Sequence, residues 1–417
     1  MADFYQHHHF TTLHRLARLP LEELEAGLEK AATRRRMALL LPSLASEMDG
    51  EALPKIVEHL QHVNYLHRIV IALDRADEAD YHRALKFFGG LPQQTTIVWL
   101  DGPNAVDIFR QFEEASLVSR VRGKGQAVWF ALGHLLGVGD CHCVALHDCD
   151  VITYDRHLLG RLCFPVLRPD IDFKFAKAYY ARISDRLNGR VCRLYIYPLL
   201  TTLQAFIPNQ PFLSYLSAWR YPLAGEMAMD LDLARHLRVP SDWGLEVGLL
   251  AEVYHNLSLK QICQVDVAGR YDHKHQELSA DDPSKGLMRM VTDITTTILR
   301  TVASQGTPIS RDLLMSLHAA YQRTAQDYVE RYAFDAAING FAYDRHQEEA
   351  ALESFSRALL AAGEEYLSNP LYSPLLPNWN RMVAALPDIM EQLAELPYRD
   401  YRAAVERSVP VPSGGGA

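Results

Sequence analysis

Between Met37 and His147 short apolar runs alternate with amphipathic stretches, and no other feature limits the fold of this chain so strongly. Met37 to Leu41, Ile69 to Leu73, Thr95 to Leu100 and Cys143 to His147 have the length of buried strands. Glu51 to Val63, Ala79 to Phe88, Asn104 to Ser119 and Gly125 to Leu136 lie between them and carry apolar residues at helical spacing. Strand and helix in alternation predict an α/β layer with a mostly parallel sheet, because a parallel neighbour requires a crossover and an amphipathic helix supplies one. Ligands of such sheets bind beyond the carboxyl ends of the strands, so the residues that follow each run are the first candidates for a site.

The run Cys143-Val144-Ala145-Leu146-His147 ends in Asp148-Cys149-Asp150, two carboxylates one residue apart. In extended chain, positions i and i+2 face the same way, so both acids are expected to address one ligand. Two close carboxylates repel, and a divalent cation relieves that. Oxygen ligands suit Mg²⁺ or Mn²⁺, and Mg²⁺ is usually held by one or two carboxylates together with substrate phosphates. The implied ligand is a nucleotide diphosphate. Arg122-Gly123-Lys124-Gly125 then opens a helix, where backbone N–H groups and an ammonium can meet a phosphate. It is not a P-loop, and an ordinary glycine-rich turn has the same composition. Pro42 to Glu47, Asp74 to Asp77 and Asp101 to Pro103 follow the first three strands, and each taken singly also reads as turn or cap chemistry.

A chain of 417 residues, 48% hydrophobic, can bury a large core in one big domain or two ordinary ones. Lys+Arg 42 against Asp+Glu 51 leaves a formal charge of −9 without a basic block, which argues against nucleic acid as a partner. No apolar run has the length of a membrane span, and the first residues lack the apolar core of a secretory signal. Six cysteines are too few for a disulfide framework in a chain this long, which fits a cytoplasmic protein. His7 to His9 is a short histidine tract of the kind that most often has no role. Residues 1–36 read as a helical packing or oligomer-contact segment, 37–150 as the α/β layer that ends in the paired acids, and 151–280 as a further mixed region. Residues 281–408 read as helical, with breaks near Gly306 to Pro308 and Ser368 to Pro377, and 409–417 as a disordered tail.

Taken in order, several stretches resemble the glucosyl-3-phosphoglycerate synthases and their mannosyl relatives, glycosyltransferase family 81. Pro42 to Glu47 resembles the family's Pro-Ala-Leu-Asn-Glu-Glu turn, and Lys124 lies in a Gly-Lys-Gly followed by Gln126, Ala127 and Trp129. Asp148-Cys149-Asp150 stands at the family's Asp-x-Asp. Gly189-Arg190-Val191, Leu194 and Pro198-Leu199-Leu200 are similar to Gly-Arg-Val-Thr followed by Pro-Leu-Leu. Ala224-Gly225-Glu226 is similar to Gly-Gly-Glu, Gly244 to Leu250 to Gly-Val-Glu-Ile-Gly-Leu-Leu, and Asp272-His273 to Glu-His.

The resemblance implies a GT-A fold, an αβα sandwich whose nucleotide-binding half, 37–150, and acceptor half, 151–280, share a mixed sheet. It also implies transfer of glucose, with retention, from a nucleotide diphosphate sugar to 3-phosphoglycerate. UDP-glucose is the first donor to expect, with GDP- or ADP-sugars as alternatives, and the expected cofactor is Mg²⁺ or Mn²⁺. On that basis Asp150 and His273 hold the metal, and Pro42, Leu44, Glu47, Asp74, Lys124, Asp148 and Cys149 bind the donor. Gly189, Arg190, Cys192 and His275 bind the acceptor, Glu246 and Asp150 carry the chemistry, and no protein nucleophile is needed. The sequence departs from the family at Cys192, where a thiol replaces threonine, at His275, where asparagine is usual, and at Asp74-Arg75-Ala76, which replaces Asp-Ser-Gly. Glycerate or another small hydroxy acid is therefore a rival acceptor, and the base of the donor stays open. A homodimer is expected, and the alternative of another class is a non-catalytic scaffold that binds sugar nucleotides.

Overall fold

The computed structural model of the chain describes residues 4–17, 19–118, 122–273, 286–370, 372 and 375–408. His275 and the expected tail at 409–417 lie outside the described residues. In chain order the strands are β1 (Thr11–Leu13), β2 (Met37–Leu44), β3 (Leu66–Asp74), β4 (Gln94–Trp99), β5 (Cys143–Leu146), β6 (Phe175–Tyr180), β7 (Met227–Asp230), β8 (Val239–Pro240), β9 (Ile262–Ala268) and β10 (Leu375–Leu376). Among the described residues eight of these form one sheet in the order β1-β9-β6-β7-β5-β2-β3-β4, while β8 and β10 pair in a separate ribbon. Every neighbouring pair in the sheet is parallel except those made by β7, which runs against both β5 and β6.

Six helices cover the first part of the sheet: α1 (Leu21–Ala32), α2 (Ala52–Leu60), α3 (Glu78–Phe88), α4 (Pro103–Glu114), α5 (Lys124–Val138) and α6 (Arg156–Leu167). Along β2, Ala38 and Leu40 face the core built with α4 and α5, whereas Met37, Leu39 and Leu41 face the core built with α1, α2, α3 and α6. A strand buried on both faces has no polar side to alternate with, which is why it reads as an unbroken apolar run. The result is the αβα sandwich with a mixed sheet that the resemblance implies.

Three expectations need correction. The first 36 residues are not helical throughout, because Thr11–Leu13 adds an edge strand parallel to β9. Gln264 donates to Thr12 Oγ1 at 2.9 Å, and the Gln6 side-chain amide brackets the Thr12 backbone with bonds of 2.6 and 2.8 Å. Three residues are too few to show a period, and their partner lies 252 positions away. Pro42 sits inside β2 rather than in a turn. β5 pairs with β2 only as far as Leu40, so beyond that point β2 has one neighbour and a residue without an N–H is tolerated.

The third correction concerns the carboxyl region. After β6 a π-helical turn, Val191–Ile196, runs into α7 (Tyr197–Phe206), followed by α8 (Pro211–Ser217), α9 (Leu231–His236) and α10 (Leu245–Asn256). Then come α11 (Gly286–Ser304), α12 (Arg311–Asn339), α13 (Arg345–Ser368), α14 (Trp379–Ala385) and α15 (Ile389–Ser408). The reversal between α12 and α13 falls at Gly340, whose φ of 69° caps α12 in the left-handed region, and it adds a break to the two expected.

These helices belong to the main core. Trp379 stacks on Trp129 with centroids 4.3 Å apart, and a Cβ at Gly133 would lie 2.1 Å from the Trp379 ring. Trp129 Nε1 in turn donates to Pro377 O at 2.8 Å. The carboxyl region thus clamps α5. Trp379→Ala is expected to lower the unfolding free energy by about 3–5 kcal/mol in urea titrations, because a buried indole is lost and a void is left beside α5.

Candidate active site

Parallel strands deliver their carboxyl ends to one edge of the sheet, and the candidate residues gather there. Lys124 is the first residue of α5. Its loop lies tight against the main chain of another segment, since a Cβ on Gly125 would come within 1.8 Å of Pro240 O. The ammonium reaches Asp148 Oδ1 at 2.6 Å and Glu246 Oε1 at 3.1 Å. Glu246 stands in the first turn of α10 and is buried. Gly225 closes the group from the other side, because a Cβ there would lie 2.6 Å from Asp148 Oδ2. Burial opposes ionisation of Asp148, yet the Lys124 ammonium more than offsets it and holds the carboxyl below its usual range. Burial likewise opposes the charge on Lys124, and Asp148 and Glu246 together overcome that and raise its pKa.

Asp150 joins a different partner. Val151 bridges to His273, Ile152 N donates to Asp272 O at 2.9 Å, and Asp272 N donates to Thr153 Oγ1 at 3.0 Å. This short strap sets Asp150 Oδ1 3.5 Å from His273 Nδ1. Both of those atoms and His273 Nε2 are buried without a hydrogen-bond partner. Orphaned oxygen and imidazole donors side by side fit a shared divalent cation, with ordinary ligand distances of about 2.1 Å. Among the described residues no group of three or more His, Cys, Asp or Glu side chains is placed to hold a metal. A cation on this pair would therefore keep open positions for a substrate.

The two acids reach their partners by a route that strand alternation does not describe. β5 ends at Leu146, so residues 147 to 150 lie outside the strand and strand period does not govern them. Asp148 turns to Lys124 and Asp150 to His273. Cys149 is buried, and a hydrogen bond joins its thiol to Ser43, so it can meet a donor only through its backbone.

Of the other expected donor residues, Pro42 and Leu44 lie at the end of β2, Glu47 in the 3-10 turn Ala45–Asp49, and Asp74 at the end of β3. Arg122 is 3.9 Å from Asp74 and forms a close ion pair with Asp101, a residue the sequence shows only as part of a turn. Arg75, in the stretch that departs from the family, takes a left-handed φ of 53°.

The loop expected to bind the acceptor also forms. Gly189 has φ of 70°, and a Cβ there would approach Tyr221 Oη to 2.9 Å. Arg193 cinches the loop by donating to Asn188 O and Leu187 O, each at 2.9 Å. Arg190 Nε donates to Glu348 Oε1 at 2.7 Å, and Arg193 Nη1 lies 2.8 Å from Glu348 Oε2. A buried carboxylate on α13 therefore anchors both guanidiniums. Cys192 is 1% exposed, and both the Tyr221 hydroxyl and the Leu223 N–H hydrogen-bond its sulfur, so its thiol points into the protein. Arg182, which also hydrogen-bonds Tyr221, is a cation of this loop that the sequence motifs do not mark.

Two buried ionisable groups lie behind the cleft, Glu226 in the Ala224-Gly225-Glu226 stretch and Lys177 outside every motif. Glu226 accepts from the hydroxyls of Tyr180, at 2.8 Å, and Tyr271, whose rings stack 3.7 Å apart. Burial, and then the nearby Asp148 charge, raise its pKa, while the tyrosine hydrogen bonds oppose that rise. Lys177 is fully buried in β6, and its ammonium donates to Ala224 O. A lysine amid the apolar residues of Phe175–Tyr180 is the one signal in the sequence that could have found it. Burial pulls its pKa down, and Glu246 and Glu226 restore it only in part, to about 8. Between about pH 8 and the ordinary lysine value of 10.5 the unfolded chain holds a proton that the folded chain has released. This group's contribution to stability therefore rises as pH climbs through that window, by up to about 3 kcal/mol. Lys177→Met is expected to lack that rise, so in urea titrations its stability relative to the parent falls across the window; parallel curves would remove Lys177 from this account.

No protein-family model matches the chain. The chain is 42% identical over 393 residues to the glucosyl-3-phosphoglycerate synthase of Persephonella marina, covering 94% of this chain and 97% of that one. It is 40% identical over 410 residues to the protein of the same name from Methanococcoides burtonii, covering 97% and 100%. Among solved structures it is similar to glucosyl-3-phosphoglycerate synthase from Mycobacterium tuberculosis in complex with Mn²⁺, UDP and phosphoglyceric acid, with a TM-score of 0.51, 23% identity and 72% and 87% of the two chains covered. It is also similar to mannosyl-3-phosphoglycerate synthase from Rubrobacter xylanophilus, with a TM-score of 0.53, 20% identity and 70% and 81% covered. The solved structures support the fold, and the two near-full-length relatives carry the assignment: this chain belongs to the glucosyl-3-phosphoglycerate synthase family.

Proposed function

We propose that the protein transfers glucose from UDP-glucose to 3-phosphoglycerate with retention at the anomeric carbon, using Mg²⁺ or Mn²⁺, and that it works in the cytoplasm. The observation that carries this is the convergence at one sheet edge of a half-buried Lys124–Asp148–Glu246 cluster and an orphaned Asp150–His273 pair. The two relatives that match nearly the whole chain are named for this reaction, and the solved neighbour holds Mn²⁺, UDP and phosphoglyceric acid. No described helix is long and apolar enough to cross a membrane.

The residues divide the work. A cation held by Asp150 and His273 supplies Lewis acidity to the departing diphosphate. Lys124, kept protonated by its two carboxylates, adds a second positive charge where negative charge grows. Glu246, fixed by Lys124, is the carboxylate that orients sugar or acceptor hydroxyls. Arg190, on the loop set by Gly189, grips the acceptor's phosphate. The bond from the anomeric carbon to the diphosphate oxygen breaks and a bond to the acceptor hydroxyl forms on the same face, with the acceptor proton passing to the departing diphosphate. This route needs no protein nucleophile.

One observation favours a second reading, with unphosphorylated glycerate as acceptor. Arg190 Nε already has a carboxylate partner in Glu348, and the Cys192 thiol is turned inward. Rates with both acceptors across a panel of donors decide between them.

Asp150→Ala and His273→Ala are each expected to lower kcat/KM by about 10²-fold or more, with thermal melting close to the parent, because each removes half of the pair aimed at the diphosphate. Initial rates across a range of Mn²⁺ concentrations check this, and unchanged rates would exclude the pair from the reaction. Glu348→Gln frees two guanidiniums from their shared anchor, and is expected to raise the KM for 3-phosphoglycerate about tenfold while changing kcat much less. An unchanged KM would show that Arg190 does not meet the phosphate.

A further inference from the structure

A second cavity, of about 400 Å³, opens at the far end of the same sheet edge, where β1 and β9 lie side by side. None of Lys124, Asp148, Glu246 or Arg190 lines it. Three arginines, Arg15, Arg161 and Arg270, line it together with His157, opposed by the single carboxylate of Asp155. Asp155 is committed elsewhere, because its carboxylate caps α6 by accepting from Leu158 N at 2.8 Å.

The arginines lack carboxylate partners of their own. Arg161 directs its N–H groups to main-chain oxygens, Asp266 O at 2.5 Å and His14 O at 3.1 Å. Among the described residues, no carboxylate forms an ion pair with Arg15, Arg161 or Arg270. Asp266 is the nearest counter-charge from β9, and its carboxylate is already engaged by the backbone N–H of Arg15. Burial holds Arg161 below the ordinary arginine range, Asp266 partly offsets this, and the neighbouring Arg15 charge pushes it down further. Like charges gathered at a concave, half-enclosed surface focus a positive potential that a small anion relieves. A cavity of this size is in the range that takes a small metabolite.

We propose that this cavity is a second anion site, built for a small phosphorylated metabolite and separate from the cleft in which glucose is transferred. It shares a wall with that cleft. Thr153 and Arg270 line the cavity, while Thr153 Oγ1 accepts the Asp272 N–H in the strap that carries His273. An anion bound by Arg270 and Arg15 therefore bears on the segment that sets the Asp150–His273 pair.

Equilibrium dialysis of the full chain with radiolabelled inorganic phosphate tests this, using the parent, Arg190→Ala and the double variant Arg15→Ala/Arg270→Ala. Both substituted cavity residues are exposed, so the fold is expected to be kept, and thermal melting checks that. Phosphate binding should survive Arg190→Ala and weaken about tenfold or more in the double variant, since two charge-assisted contacts are lost. Amide exchange in peptides covering 268–273 should slow when phosphate is added to the parent. Binding that is lost in Arg190→Ala but untouched in the double variant would overturn the proposal, as would protection confined to the 188–193 loop or an absence of phosphate binding in the parent.

Discussion

One ammonium group organises the cleft. A lysine drawn partly out of water is costly unless its charge is met, and Lys124 is met twice, by Asp148 from beyond the end of β5 and by Glu246 from the start of α10. Those three groups come from segments far apart in the chain, so the ion pairs can form only when the sheet, the α5 amino end and α10 are all in place. The tight contact of the Gly123–Gly125 loop with the main chain at Pro240 and Ser241 allows that approach, and bulkier residues there would push the ammonium away from both acids. The cluster carries one more carboxylate than ammonium. A diphosphate entering it would compete with Asp148 for Lys124, which gives the second cation proposed at Asp150 and His273 an electrostatic purpose.

The carboxyl helices are part of this machinery. Trp379 lies against the helix that begins with Lys124, Tyr321 donates to Leu194 O in the π-helical turn, and Glu348 holds Arg190 and Arg193. π-Helical turns are rare and cluster at functional sites. Here the turn follows Arg190 directly, so the extra residue in its helical circuit is fixed by groups from outside the loop. The segments proposed to bind donor and acceptor are thereby braced by one region that carries none of the expected ligand-binding residues.

Much of this was legible in the sequence, and what was not has a physical cause. The parallel strands showed themselves because a strand buried on both faces is apolar at every position, as β2 is. Asp148 and Asp150 stood out because they close such a run and Lys124 because glycines flank it at the start of a helix, whereas His273 was marked only by the resemblance to the family. Two features were misjudged: strand alternation was extended past Leu146 to acids that lie beyond the strand, and β1 was folded into a helical segment. The contacts that sequence order could not show are those of long range. Glu348 is 158 residues from Arg190, and Lys177 is 47 from its carbonyl partner at Ala224. Neither Glu348 nor Lys177 lies in a motif, and a lysine inside an apolar strand is the one signal that could have marked either of them.

The reversed direction of β7 has a consequence for how this architecture can vary. Every other strand of the sheet leaves the cleft edge behind it as a loop that follows the strand, whereas β7 is entered from that edge, through Gly225 and Glu226. Lengthening the connection after Asp230 alters only the opposite rim, while a single added residue before Met227 would shift Gly225 against the Asp148 carboxylate. Chain growth is thus free on one side of this strand and barred on the other.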